Sequence, residues 1–129
     1  MNALVTGGGG FLGRAIVARL LARGDSVRVL ARGEYRELSA TGVDMIRGDI
    51  ADAPIVARAC AGCDTVFHVA AKAGIWGRED EYRRANVIGT QNVIDAARGE
   101  GVARLVYTSS PSVVFAGCDM AGTDESAPY

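Results

Sequence analysis

The sequence predicts an α/β fold: a parallel sheet with helices on both faces and its strands in the order 3-2-1-4-5. Three observations lead there. Short apolar runs rich in β-branched residues alternate with stretches of helical period, beginning with Ala3-Leu4-Val5 at the start of the chain. A glycine-rich turn, Thr6-Gly7-Gly8-Gly9-Gly10-Phe11-Leu12-Gly13, joins the first run to the first helical stretch. Helical stretches between the runs supply the right-handed crossovers that make successive strands parallel.

The 129 residues suit one domain, of which 49% are apolar, and the formal net charge is −1. No basic patch speaks for a nucleic-acid partner. No apolar run approaches the roughly 18 residues of a membrane helix, and the first strand begins at Asn2 without a charged leader, so a cytoplasmic, unprocessed chain is expected. Three cysteines argue against a disulfide scaffold. Cys60-Ala61-Gly62-Cys63 has the spacing of a redox or metal pair, with only Cys118 and His68 as further soft ligands. Its place at a helix end, away from the dipole that stabilises a thiolate, favours a structural role, and no metal site is expected.

The glycine turn carries the chemistry. Residues without Cβ allow a tight turn, a close backbone approach to phosphate, and close helix-to-strand packing. A pyrophosphate would rest on the free amides at the helix start, where the helix dipole favours negative charge. Two registers fit, Gly7-x-x-Gly10-x-x-Gly13 and Gly8-x-Gly10-x-x-Gly13, and the run of four glycines does not choose between them.

Phe11, Leu12, Ala15, Ile16, Ala18, Leu20 and Leu21 recur at helical spacing, and Arg23-Gly24-Asp25 stops that helix. Ser26 to Leu30 alternates as strand two. An acidic residue would be expected after it for the ribose hydroxyls of NAD, whereas Ala31-Arg32 stands there, with Arg36 four residues on. The absence of a carboxylate and the presence of Arg32 favour NADP, with NAD as the alternative. A short helix is expected over 34–40, strand three over 43–50 with Gly48-Asp49 at its end, and a helix opened by Asp52-Ala53-Pro54.

Strand four, Thr65 to Ala71, holds the only histidine, His68, which reads as a hydrogen-bonded core group. Small Ala70 and Ala71 stand where the strand's end would meet a cofactor. The next loop carries the only lysine, Lys72, and the only tryptophan, Trp76, which could face a pocket, a partner, or simply pack. The longest helix is expected over 79–100, with Tyr82, Asn86, Thr90, Val93 and Ala97 on one face and Val87 and Ile94 on another. Strand five, Arg104 to Thr108, runs into Ser109-Ser110-Pro111-Ser112, and Val113 to Tyr129 shows no clear helix.

Thr6-Gly-Gly-Gly-Gly-Phe-Leu-Gly13, Gly48-Asp49-Ile50, His68-Val-Ala-Ala71, Asn86-Val-Ile-Gly-Thr90 and Val106-Tyr-Thr-Ser-Ser110 resemble the extended short-chain dehydrogenase/reductases along the whole chain. The segments Ala70 to Gly77 and Tyr107 to Phe115 are most similar to the 3β-hydroxysteroid dehydrogenase branch and its bacterial oxoalkanoate-reductase members. The resemblance implies a Rossmann-type, doubly wound sheet in which Gly7, Gly10, Phe11, Leu12 and Gly13 hold the pyrophosphate and Arg32 the 2′-phosphate. Asp49 and Ile50 would take the adenine, Ala70, Ala71 and Thr108 the nicotinamide side, and Ser110 would be the catalytic serine. It further implies hydride transfer between a nicotinamide cofactor and a small hydrophobic β-hydroxy or β-keto substrate. Nucleotide-sugar epimerases, dihydroflavonol-type reductases and a silent dinucleotide-binding module remain alternatives.

The family's Tyr-x-x-x-Lys pair is missing. Ser39, Asn86 and Pro111 stand four residues after Tyr35, Tyr82 and Tyr107, while Tyr129 is the last residue. The expectation is therefore an amino-terminal, dinucleotide-binding portion spanning 1–129, ending after strand five, without its substrate domain and inactive by itself. A bare strand-five edge would then expose apolar surface, and self-association is expected.

Overall fold

A computed structural model describes residues 1–115, 117 and 120–128 of the chain. Cys118 and Tyr129 lie outside the described residues. Five parallel strands, β1 (Asn2–Thr6), β2 (Ser26–Ala31), β3 (Asp44–Arg47), β4 (Thr65–His68) and β5 (Arg104–Tyr107), form one sheet in the order β3-β2-β1-β4-β5. β1 lies at its centre, Val5 pairing with Val29 of β2 and with Phe67 of β4.

Alternation along the strands sorts the core into two layers, because successive side chains point to opposite faces. Ala3, Val5, Val27, Val29 and Ala31 face one side and pack on Val17 and Leu20 of α1 (Phe11–Ala22) and on Leu38 of α2 (Arg36–Ser39). Leu4, Leu30 and Val66 face the other side, against Val56, Ala59 and Cys60 of α3 (Ala53–Cys60). Val93 and Ala97 of α5 (Gly89–Gly99) complete that layer. Both faces of the inner strands are therefore dry, as the near-continuous apolar runs require.

Individual elements are shorter than their sequence periods suggest. β3 ends at Arg47 because Gly48 turns away, its amide bonded to the Ala31 carbonyl at 3.0 Å and its α-carbon face closed off by Ile55. α3 starts where Asp52 accepts a hydrogen bond from the Ile55 amide at 3.3 Å, with Pro54 in its first turn. Its far end is held by Arg28 of β2, whose Nη1 donates to the carbonyls of Ala59 (3.0 Å) and Ala61 (2.8 Å) while Nε meets Asp44 at 2.6 Å. Cys60 and Cys63 are buried in the same layer, and burial pushes the Cys60 thiol up to about 11, which makes it a poor nucleophile.

The long helix departs from its expected form in one respect. It opens as α4 (Glu79–Tyr82), widens into a π-helical stretch over Arg83–Ile88, and returns to α-helix in α5. Such wide turns change the phase of a helical face and are stabilised by what the displaced side chains meet. Here Asn86 meets the backbone of Lys72, and Gly89 lies flat on Ile50, where a Cβ would come within 2.5 Å. On the outside, Val87 and Ile88 are exposed.

Among the described residues β5 is one of the sheet's two edges, opposite β3, and its Leu105, Val106 and Tyr107 are all exposed. Beyond it Pro111–Val114 forms a single 3-10 turn. Among the described residues, no helix is long and apolar enough to cross a membrane.

Candidate functional site

The glycine turn sits at the carboxyl end of the central strand and resolves its own register. Gly7 has φ +70°, a conformation that L side chains avoid, and a Cβ there would approach the Ala70 backbone to 2.9 Å. A Cβ on Gly13 would run into the Gly7 carbonyl oxygen. Gly7, Gly10 and Gly13 line a cleft of about 850 Å³. Gly8 and Gly9 instead back onto Val29 and the Tyr35 ring, so the spacing in use is Gly7-x-x-Gly10-x-x-Gly13.

α1 begins at the floor of that cleft. The Gly10 amide turns back to the Gly7 carbonyl at 2.9 Å, and the first helical bond runs from Arg14 to Gly10. The amides of Phe11, Leu12 and Gly13 have no backbone partner among the described residues, and no acid stands in the first turn. Three unpaired N–H groups at the positive end of a three-turn helix fit an anion. The Phe11 side chain is 98% exposed at the cleft edge.

Around these amides the structure gathers every residue assigned above to the cofactor. Arg32 follows β2, Asp49 and Ile50 follow β3, and Ala70, Ala71 and Thr108 follow β4 and β5. Arg32 has no carboxylate within ion-pair distance among the described residues, whereas Arg47 pairs with Glu34 at 2.9 Å. Asp49 accepts from the Ala51 amide at 2.9 Å and meets Arg84 at 3.3 Å.

Ser110 is not brought into the cleft. It is exposed, caps the 3-10 turn, and its hydroxyl lies 2.7 Å from that of Ser112. The chain reaches the cleft at Thr108, two residues earlier.

Among the cleft residues that sequence reasoning did not assign, four carry polar or charged side chains: Tyr35, Lys72, Glu81 and Arg84. Lys72 pairs with Glu81 at 2.9 Å and lies 5.1 Å from the Tyr82 ring centre, and the hydrogen bond to Glu81 raises its pKa. Being the only lysine and following strand four, it carried a usable signal. Arg84 did not, because its contact with Asp49 depends on the phase of the π-helical stretch. The Tyr35 ring lies against Gly9 of the turn, with the Arg14 guanidinium over it, 5.7 Å from the ring centre.

His68 lies beneath the cleft rather than in it. It is 1% exposed, both ring nitrogens have hydroxyl partners, and burial lowers its pKa to about 4. Trp76 is 87% exposed and does not pack against the described residues of this chain.

A central β1 running into this glycine turn, in a sheet ordered 3-2-1-4-5, defines a Rossmann-type α/β domain. The chain belongs to the 3-beta hydroxysteroid dehydrogenase/isomerase family, whose model matches residues 4–129. It is 54% identical over 128 residues to a 2-alkyl-3-oxoalkanoate reductase of Shewanella oneidensis, covering 99% of this chain and 33% of that protein. It is 44% identical over 135 residues to a 3 beta-hydroxysteroid dehydrogenase/Delta 5-->4-isomerase of Mycobacterium tuberculosis, covering 99% of this chain and 36% of that one. Among solved structures, a short-chain dehydrogenase/reductase superfamily protein of Agrobacterium tumefaciens with bound NAD superposes with a TM-score of 0.86. That match is 32% identical and covers 99% of this chain and 38% of its counterpart. The chain thus spans about a third of the length of these relatives.

Proposed function

We propose that this chain is the cofactor-binding portion of a cytoplasmic oxidoreductase that prefers NADP and acts on a hydrophobic β-hydroxy or β-keto compound. One observation carries the reading: eleven residues that the family pattern marks for a dinucleotide, from Gly7 to Thr108, line a single cleft. The cleft suits the group chemically. Unpaired amides at the start of α1 meet a pyrophosphate, and Cβ-less Gly7 and Gly13 let it approach. Arg32, free of any carboxylate among the described residues, offers its planar fork to a 2′-phosphate.

When bound, the dinucleotide supplies a hydride for exchange with a carbonyl or alcohol carbon. The chain's own work is to hold and orient. Asp49 and Ile50 would take the adenine end, and Ala70, Ala71 and Thr108 the nicotinamide side; Ser110, outside the cleft here, would steady the substrate oxygen by a hydrogen bond. For that, the Ser110 hydroxyl must exchange its Ser112 partner for substrate. The substrate class rests on the relatives: one is named for 3-oxoalkanoates and the other for 3β-hydroxysteroids. Because the chain holds no Tyr-x-x-x-Lys pair, it binds cofactor without turning it over.

A second reading, the same cleft taking NAD, is favoured by the NAD found in the solved relative. Calorimetric titration with NADPH and NADH, on the chain and on Arg32→Asp, decides. Tighter NADPH binding that reverses in the variant supports the proposal. Preference for NADH in the unaltered chain overturns the NADP reading, and binding of neither overturns the site.

A further inference from the structure

Beneath the cleft, the buried Thr6 and His68 and the half-buried Thr90, from three elements, form one hydrogen-bonded line. Thr6 Oγ1 of β1 lies 2.7 Å from Nδ1 of His68, its register partner on β4. The other ring nitrogen, Nε2, lies 3.0 Å from Thr90 Oγ1 of α5. Thr6 Oγ1 also receives the backbone amides of Val69 and Ala70, each at 3.2 Å.

Counting donors settles the direction of this line. A hydroxyl has one proton to give and two lone pairs to accept with. Amides only donate, so Val69 and Ala70 occupy both lone pairs of Thr6, and its one proton must go to Nδ1. Nδ1 therefore accepts, the imidazole is neutral, and its own proton sits on Nε2, where it is given to Thr90.

We propose that His68 is a positioning residue, held as the Nε2–H tautomer, which fixes the Thr6 hydroxyl and through it the peptide run Val69-Ala70 against the glycine turn. The tolerance there is small. A Cβ on Gly7 would already be 2.9 Å from the Ala70 backbone, so any drift of that run closes or opens the cleft floor. Besides Thr6 and Thr90, the group facing the ring is Tyr107 of β5, with centroids 5.6 Å apart. No charged side chain pairs with the ring among the described residues, and burial, which lowers its pKa, favours the same neutral state. A doubly protonated ring would aim a second N–H at an oxygen whose lone pairs are taken, and one of the two amides would be displaced.

The chain contains a single histidine, which makes the tautomer directly observable. The experiment is a long-range proton–nitrogen NMR correlation of the ring near pH 7, together with amide hydrogen exchange at Val69 and Ala70. The expected result is a protonated Nε2 and an unprotonated Nδ1. Thr6→Val should then speed exchange at both amides by about tenfold, the equivalent of one lost hydrogen bond, while Thr6→Ser stays near the unaltered chain. A ring protonated on Nδ1, or unchanged exchange at both amides in Thr6→Val, overturns the proposal. The tautomer measurement needs no variant, so it decides even where Thr6→Val fails to fold. None of these readouts uses a cofactor, so their failure is distinct from failure of the titration above.

Discussion

The Asn86 side chain holds Lys72 by both of its peptide groups, accepting from the Lys72 amide at 2.8 Å and donating to the Lys72 carbonyl at 3.0 Å. A loop after β4 is thereby fastened to the π-helical stretch as if the two were paired strands. Tyr82 adds a second fastening, its hydroxyl donating to the Trp76 carbonyl at 2.8 Å. Between these points the loop carries Ile75 and Trp76 into solvent.

Asn86→Ala is expected to remove both bonds and cost about 2 kcal/mol, since each part-buried hydrogen bond contributes roughly 1 kcal/mol. Urea unfolding checks this as a lower midpoint at constant slope. Asn86→Asp keeps the acceptor alone and should fall between the two.

Substitution of the turn glycines separates space from conformation. Gly13→Ala, which drives a methyl into the Gly7 carbonyl, is predicted to abolish cofactor binding in calorimetry and to lower stability by about 3 kcal/mol. Gly99→Ala, at the end of α5 with nothing within 4 Å, should leave binding intact and raise stability by up to about 1 kcal/mol. Equal effects of the two would refute the close-approach account of the turn.

Acid should destabilise the fold through His68. The buried ring titrates at about 4, below the ordinary 6.5, so the unfolded chain takes up its proton first. The stabilisation is complete above pH 6.5 and is lost as the pH falls toward 4, amounting to about 3 kcal/mol over that window. Unfolding midpoints of the chain and of His68→Gln across pH 4 to 7 test it; the variant should lose most of this slope.

The open β5 edge predicts self-association. Val106 is 47% exposed on a strand that has no outer neighbour among the described residues. Light scattering on the chain should show species larger than a monomer, and Val106→Lys should shift them toward monomer. A monodisperse monomer of the unaltered chain would remove the basis for this prediction.

Strand order and the cleft's glycine and small-residue lining were legible because they depend on local rules. Val27, Val29 and Leu30 announce a strand by branching and alternation, and Gly7, Gly10 and Gly13 announce a turn by what they lack. Registers that depend on tertiary contact were not legible. Nothing in Arg83 to Ile88 signals a π-helical turn, because that turn is held by Asn86 on Lys72 and by Gly89 on Ile50. For the same reason Arg84 could not be connected with Asp49. Ser110 shows the limit of a pattern, which places a residue in the chain and not its hydroxyl in the cleft.

The central place of β1 also sets a timetable for assembly. Asn2 meets Ser26 after 24 residues of chain, whereas Ala3 meets Thr65 only after 62. By the logarithmic cost of loop closure the second encounter is dearer by about 0.8 kcal/mol, so the β1-α1-β2 unit is expected to form first and β4 to dock on it. Val29→Ala should then slow refolding, while Val66→Ala should leave refolding nearly unchanged and hasten unfolding.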